Sequence, residues 1–307
     1  MSTIRVATRG SLLALTQTGW VVDRLKEANP GTEFELHTFK TVGDKVLDVA
    51  LSQIGGKGLF TKELEDALLD GRADLAVHSL KDMPTDLPPG LVLGCIPERE
   101  DPRDVVITRD GARFEELPAG ALVGTSSLRR VAQLRAQRPD LQYVPIRGNV
   151  DTRLRKMEEG QVAALIMAAA GLHRAGFTER ITEYLEPSYC LPAPGQGALA
   201  IEIREVDSRI GQVVGRIHDT ATALEVMAER ALLARLEGGC QVPIGAYAVY
   251  DRGHLHLEGL IASPDGAKVI RYEAEGDAGR ARTLGQQVAD WLLANGGQAI
   301  LDALRGS

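Results

Sequence analysis

The hydrophobic pattern of this 307-residue chain changes character once, and that change limits what it can fold into. Up to about residue 240, short apolar runs alternate with helical stretches. IRVAT (4–8) reads as a buried strand, LLALTQTGWVVDRLKEA (12–28) as a helix and EFELHTF (33–39) as a strand. A helix around 60–69 stops at Gly71, and DLAVHS (74–79) returns as a strand. LVLGCI, DVVIT, ALVGT, QYVPI and AALIM supply further strands, with LRRVAQLRAQ and VDTRLRKMEE as helices between them. Such alternation predicts an α/β architecture of parallel sheets with crossover helices. From 243 the pattern becomes IGAYAVY, HLHLEGLIA and KVIRYEAEG, with turns at Asp251-Arg252-Gly253 and Pro264-Asp265-Gly266. These runs predict a three-stranded antiparallel meander closed by helices from about 277, a separate C-terminal α+β domain. The sequence shows no internal repeat.

A cysteine lies where the two patterns meet. In and just ahead of ERALLARLEGGCQVPIGA (229–246), Met227, Ala231, Leu232 and Leu236 recur at helical spacing, and Gly238 supplies a left-handed stop. Cys240 therefore follows a helix C-terminus, the wrong end of the dipole for a thiolate activated at every turnover. A small buried residue is one reading of it. The flanking Gly238 and Gly239, which let a bulky group approach the backbone, support the other, a thiol alkylated once and kept.

The length predicts two or three domains. Three cysteines, at 95, 190 and 240, cannot all pair within the chain; Cys95 and Cys190 are expected to be structural thiols. The N-terminus runs straight into a strand pattern, and no apolar run approaches a membrane span. A reducing cytoplasm, without a membrane partner, is the expectation. A net charge of −7 and only 4% aromatic residues argue against nucleic acid. Positive charge is nevertheless concentrated between 129 and 156, where six other cations join Arg129 and Arg130 against only Asp140 and Asp151. That concentration predicts a local anion site, with Arg135 and Arg138 left to a solvated helix face.

Three segments carry chemistry. HSLKDMPT (78–85) places Lys81 and Asp82 in a loop at the carboxyl end of a strand, the edge where open α/β sheets bind ligands. A surface ion pair is the plain alternative; the placement supports Asp82 as an acid-base and cation-stabilising group. LVGTSSLRR (122–130) runs from a strand through Thr125 and Ser127 into a helix, a setting for a carboxylate or phosphate. Arg129 and Arg130 oppose the dipole of that first turn, a placement that calls for an anion. VPIRGNVDTR (144–153) repeats the geometry with Arg147, Gly148 and Arg153. Other motifs fail. GGKGLF (55–60) lacks phosphate-loop spacing, no G-x-S-x-G elbow is present, and nothing near His254 and His256 completes a metal site. His78, His173 and His218 read as structural. On the residues alone, a two-lobed binding protein and a transferase using Cys240 as turnover nucleophile remain alternatives.

Nine blocks, in order, resemble the hydroxymethylbilane synthase (porphobilinogen deaminase) family: ATRGS, GGKGLFTKELE, HSLKDMPT, GCIPEREDPRDV, GTSSLRR, IRGNVDTRL, AAAGLHRAGF, LPAPGQGALAIE and GGCQVPIGA. Leu12 stands where the family has proline. The resemblance implies a transferase that joins four porphobilinogen molecules head to tail with loss of ammonia and releases hydroxymethylbilane. It implies one dipyrromethane cofactor held covalently through Cys240, with Asp82 as the catalytic carboxylate. Lys81, Asp82, Thr125, Ser127, Arg129, Arg130, Gly148 and Arg153 fall where the family holds the cofactor. Arg9, Ser11, Arg147, Arg153 and Arg174 fall where it contacts substrate or growing chain. Each pyrrole brings two carboxylates, which explains guanidinium forks in place of lysines. The implied fold has three domains. Domain 1 is discontinuous (1–98 and 192–218), domain 2 spans 99–191, and domain 3 spans 219–307; the first two resemble lobes of a periplasmic binding protein. A cytoplasmic monomer without metal completes the expectation.

Overall fold

The computed structural model describes residues 3–45, 58–236 and 242–305. Cys240, its two glycines and the first three residues of the GGKGLF block lie outside the described residues. The chain divides into two compact units, Met1–Glu100 with Ala198–Ala223, and Asp101–Gly197 with Leu224–Ser307.

The first unit is built on a five-stranded sheet of order β2-β1-β3-β10-β4: β1 (Ile4–Arg9), β2 (Phe34–Phe39), β3 (Leu75–Ser79), β4 (Leu91–Cys95) and β10 (Leu199–Arg204). β1 is parallel to β2 and β3, whereas β10 is antiparallel to both β3 and β4. Strand periodicity sends alternate side chains to opposite faces, and both faces are covered. Val6, Leu75 and Val77 pack with Val21, Val22 and Leu25 of α1 (Leu12–Ala28). The small Ala7 and Ala76 instead meet Leu64, Ala67 and Leu68 of α2 (Lys62–Leu69).

In the second unit the sheet order is β7-β6-β8-β5-β9: β5 (Asp104–Thr108), β6 (Leu122–Gly124), β7 (Gln142–Val144), β8 (Ala164–Ala168) and β9 (Glu183–Leu185). Here too a parallel trio is followed by two antiparallel pairings, because β5 runs against both β8 and β9. α3 (Leu128–Gln137), α4 (Val150–Glu158) and α5 (Ala169–Ala175) each follow one strand of the trio. The α/β class is the expected one, but both sheets are mixed where parallel sheets were predicted. Two strands have no counterpart in the sequence reading, β9 and β10. The first has only three residues, and the second follows a Pro- and Gly-rich loop that obscures its start.

The same unit holds the C-terminal meander, β11 (Ile244–Asp251), β12 (His254–Ala262) and β13 (Val269–Asp277), antiparallel throughout. Arg252 and Gly253 both adopt positive φ, 45° and 91°, the conformation a two-residue hairpin loop requires. Between α6 (Ser208–Val214) and the meander runs α7 (Thr220–Arg235), and α8 (Ala281–Leu292) and α9 (Gln298–Arg305) close the chain. Leu232 of α7, Leu255 and Leu257 of β12 and Val288 and Leu292 of α8 form one core.

Candidate active site

Two sheet edges carry the residues singled out in the sequence, one in each unit. In the first unit, β1 ends in Arg9-Gly10-Ser11 and β3 ends in a single 3-10 turn, Leu80–Asp82. Their parallel register, Ala7 opposite Ala76, releases both segments at one edge. Ser11 caps α1, its Oγ accepting the Ala14 N–H at 3.3 Å, and Leu12 occupies the first helical position. The Arg9 guanidinium lies over the Phe60 ring, 4.2 Å from its centroid. Leu80, which opens the turn, and Met83, which follows it, are both buried, and the Leu80 N–H donates to the Ala198 carbonyl at 3.0 Å. Anchored on both flanks, the turn leaves Lys81 half-buried and turns Asp82 to solvent.

His78 serves the inside of this edge. Its Nε2 is 3.1 Å from Glu202 Oε2, and both side chains are buried. Burial pushes the nearby Glu65 carboxyl up, and the charge of Glu202 adds to that shift. His173 pairs with the Tyr184 hydroxyl at 2.8 Å, and His218 Nδ1 accepts the Ile96 N–H at 3.2 Å. All three histidines are thus bonded within the fold. His256 faces Glu273 and Glu275, each at 3.5 Å.

In the second unit β6 and β7 release two loops at the carboxyl edge of the parallel trio, and β8 passes there directly into α5. Thr125 is buried and its Oγ1 accepts the Ser127 N–H at 3.3 Å; Ser127 caps α3 through the Arg130 N–H at 3.5 Å. Ser126 Oγ donates to the Ile146 carbonyl (2.8 Å) and accepts the Ile146 N–H (3.2 Å), stitching the first loop to the second. In the second loop Gly148 has φ +116°, and its carbonyl accepts from Arg153 Nε at 2.7 Å. Lys156 Nζ donates to the Arg147 carbonyl at 3.0 Å. Arg174, on α5, donates to the Gly197 carbonyl at 2.8 Å. Arg147, Arg153 and Arg174 are all half-buried.

Arg129 and Arg130 sit deeper, and they correct the sequence argument. Their placement does call for an anion, but the anion in contact is the chain's own Asp104. Arg130 donates to Asp104 Oδ1 from Nε (3.0 Å) and Nη2 (2.7 Å), and Arg129 Nη1 is 2.7 Å from Oδ2. Burial alone would push the Asp104 carboxyl up; the charges of Arg129 and Arg130 overcome it and hold the carboxyl well below the usual range. Two guanidinium groups still share one carboxylate, and Arg129 Nε is buried without a hydrogen-bond partner among the described residues. Surplus positive charge with a spare donor fits a group that brings further carboxylates.

Sequence reasoning missed Asp104 and Gln196, whose amide donates to Asp104 Oδ1 at 2.9 Å. The available signal was DPRDV at the start of a strand. Because β5 runs antiparallel, its first residue lands at the carboxyl edge of β8, with Asp104 opposite Ala168. Arg138 is also reassigned. It is no solvated helix residue, since it donates to the carbonyls of Phe114 (2.9 Å) and Leu117 (2.7 Å) and pairs with Asp140. Cys95 and Cys190 are buried free thiols, each pushed up to about 12 chiefly by burial.

The fold and these edges define an α/β protein of two mixed five-stranded sheets, with guanidinium groups gathered at the edge of the second unit's sheet. Residues 4–212 match the family described as porphobilinogen deaminase, dipyromethane cofactor binding domain, and residues 223–294 match porphobilinogen deaminase, C-terminal domain. The chain belongs to the porphobilinogen deaminase family. It is 54% identical over 300 residues to the porphobilinogen deaminase of Desulforudis audaxviator, covering 98% of this chain and 97% of that one. Identity to the Brevibacillus brevis porphobilinogen deaminase is 54% over 303 residues, with 98% and 97% covered. Among solved structures, the periplasmic VFT2 domain of Bordetella pertussis BvgS is similar at 16% identity and a TM-score of 0.41, over 70% of this chain and 86% of that one. No helix of the described residues is long and apolar enough to cross a membrane.

Proposed function

We infer that this chain is a transferase that condenses four porphobilinogen molecules head to tail, releasing ammonia at each addition, to give hydroxymethylbilane. The observation that carries this is the second unit's sheet edge in a chain of this family. Five arginines lie there on strand-to-helix loops and helices, two of them sharing a single buried carboxylate. A dipyrromethane group, held through Cys240, supplies a permanent first acceptor for the growing chain.

In this reading Thr125, Ser127, Arg129, Arg130, Gly148, Arg153 and Lys81 hold the cofactor's carboxylates, and Arg9, Ser11, Arg147, Arg153 and Arg174 those of the incoming substrate and product. Asp82 faces the reacting pyrrole. As the aminomethyl C–N bond breaks and nitrogen leaves as ammonia, positive charge develops on the substrate ring. The exposed carboxylate stabilises that charge and holds the ring N–H, which a neutral amide would do far less well. Support comes from the 3-10 turn, whose two buried flanks fix the carboxylate without covering it.

The same reading keeps three domains, 1–98 with 192–218, 99–191 and 219–307, one for each of the three sheets. It places the enzyme in the cytoplasm as a monomer without metal, a setting that suits two buried free thiols. Intact-protein mass spectrometry tests the central point. The purified chain should carry the mass of one dipyrromethane, and Cys240→Ala and Cys240→Ser should lose both that mass and nearly all turnover. An active, adduct-bearing Cys240→Ala protein would overturn the assignment.

A further inference from the structure

We propose that Asp104 and Gln196 are positioning residues that set the cofactor-holding Arg129 and Arg130, and with them the substrate-contacting Arg174, as one anion-binding unit. The proposal rests on the reading of these arginines as carboxylate ligands. Asp104 has no exposed surface, and its acceptor positions are taken by the chain itself. Oδ1 accepts from Arg130 Nε, Arg130 Nη2 and Gln196 Nε2, and Oδ2 from Arg129 Nη1 and the Cys190 thiol (3.4 Å). A carboxylate has about four lone-pair sites, so none is left for a ligand. Asp104 therefore acts through the arginines and not on substrate.

Gln196 ties this group to Arg174. Its buried amide donates both to Asp104 Oδ1 and to the Pro102 carbonyl (2.6 Å), which spends the two N–H bonds of Nε2. The residues on either side adopt positive φ, +73° at Gly195 and +87° at Gly197. The Gly195 N–H is held by Glu229 Oε2 at 2.6 Å, and the Gly197 carbonyl receives Arg174. One short loop thus sets the acceptor for Arg174 on one side and orients the counter-ion of Arg129 and Arg130 on the other. Moving Gln196 moves all three cations.

Charge and position predict opposite outcomes, which makes the test sharp. If only net charge mattered, Asp104→Asn would strengthen anion binding, because a negative charge is removed. If orientation matters, the same change weakens it. Full-length apo-protein of the parent, Asp104→Asn, Gln196→Met and Arg130→Leu would be incubated with porphobilinogen. The rate and half-saturating concentration of cofactor loading would be read by intact mass, alongside circular dichroism of each sample. Gln196→Met should load ~10-fold and Asp104→Asn ~100-fold more slowly, in line with misplaced binding groups, at a raised half-saturating concentration. A purely structural role would reduce the folded fraction and leave its loading unchanged, and that result would overturn the proposal. If Asp104→Asn does not fold, Gln196→Met decides alone. Parental loading in Gln196→Met with slow loading in Arg130→Leu overturns the positioning role only. Parental loading in Arg130→Leu overturns the reading of the arginines and the proposal with it.

Discussion

Asp82 differs from its neighbours in one respect that matters for chemistry: it is exposed, while Leu80 and Met83 are buried. A turn pinned at both flanks can present a carboxylate at little entropic cost. Asp82→Asn keeps that geometry and removes the charge. Turnover should fall by ~100-fold or more while intact mass still shows the cofactor, as expected for loss of one preorganised electrostatic group. Near-parental steady-state turnover would reduce Lys81-Asp82 to a surface pair. The thiols give a second residue-scale expectation. Cys95 and Cys190, buried and pushed up to about 12, stay protonated and hidden at pH 8. Iodoacetamide should label neither in the folded protein and both after denaturation, counted by peptide mass.

At the scale of elements, the loop from β7 to α4 shows how backbone conformation sets side-chain placement. Gly148 has φ +116°, and an added Cβ would lie 2.6 Å from Thr152 Cγ2. The Arg147 and Gly148 carbonyls are also the acceptors for Lys156 and Arg153. Gly148→Ala should cost roughly 1–3 kcal/mol from the strained backbone alone, visible as a lower denaturation midpoint. It should also slow chain elongation, so that native gels after limited porphobilinogen show an altered ladder of intermediates. Retained stability with a parental ladder would show that the loop tolerates a side chain. Much of this scale was legible in sequence. The ranges of α1 and α3 match the periodic runs 12–28 and 128–137, since Ser11 and Ser127 cap them and each apolar face repeats locally. The 3-10 turn of Lys81 and Asp82 read only as a loop, because three residues carry no periodicity.

For the molecule as a whole, paired carboxylates tie stability to pH. Burial works against Asp74, yet hydrogen bonds from Arg5 and its charge, with Arg204 behind, hold that carboxyl below the usual range. Asp104 is shifted in the same direction. Both titrate lower folded than unfolded, so the stability they supply is complete above the unfolded carboxylate value, near pH ~4, and is lost as the pH falls toward their folded values. Glu65 has the opposite sign: its raised carboxyl favours folding at low pH, and that help is lost as the pH rises through its folded value. Urea midpoints measured from pH 6 down to pH 3 should decline, and Asp74→Asn should flatten that decline. An unchanged slope would show that the Arg5 pair contributes nothing to acid stability.

The sequence by itself determined the α/β class, the C-terminal meander, most helix and strand limits, and the strand-end position of Asp82 and the arginine loops. Those features depend on periodicity, caps and turn residues within about a dozen positions. Only the tertiary structure decided that each sheet is a parallel trio with two antiparallel pairings, because β10 reaches β3 across the whole of residues 101–197. It alone decided that Arg129 and Arg130 answer to Asp104, and Asp104 to Gln196, 26 and 92 positions apart in the pairs resolved. Spacing along the chain carries no signal for such contacts. They exist because strand direction brings the start of β5 to the edge where β8 ends, and because a buried carboxylate must be met by donors.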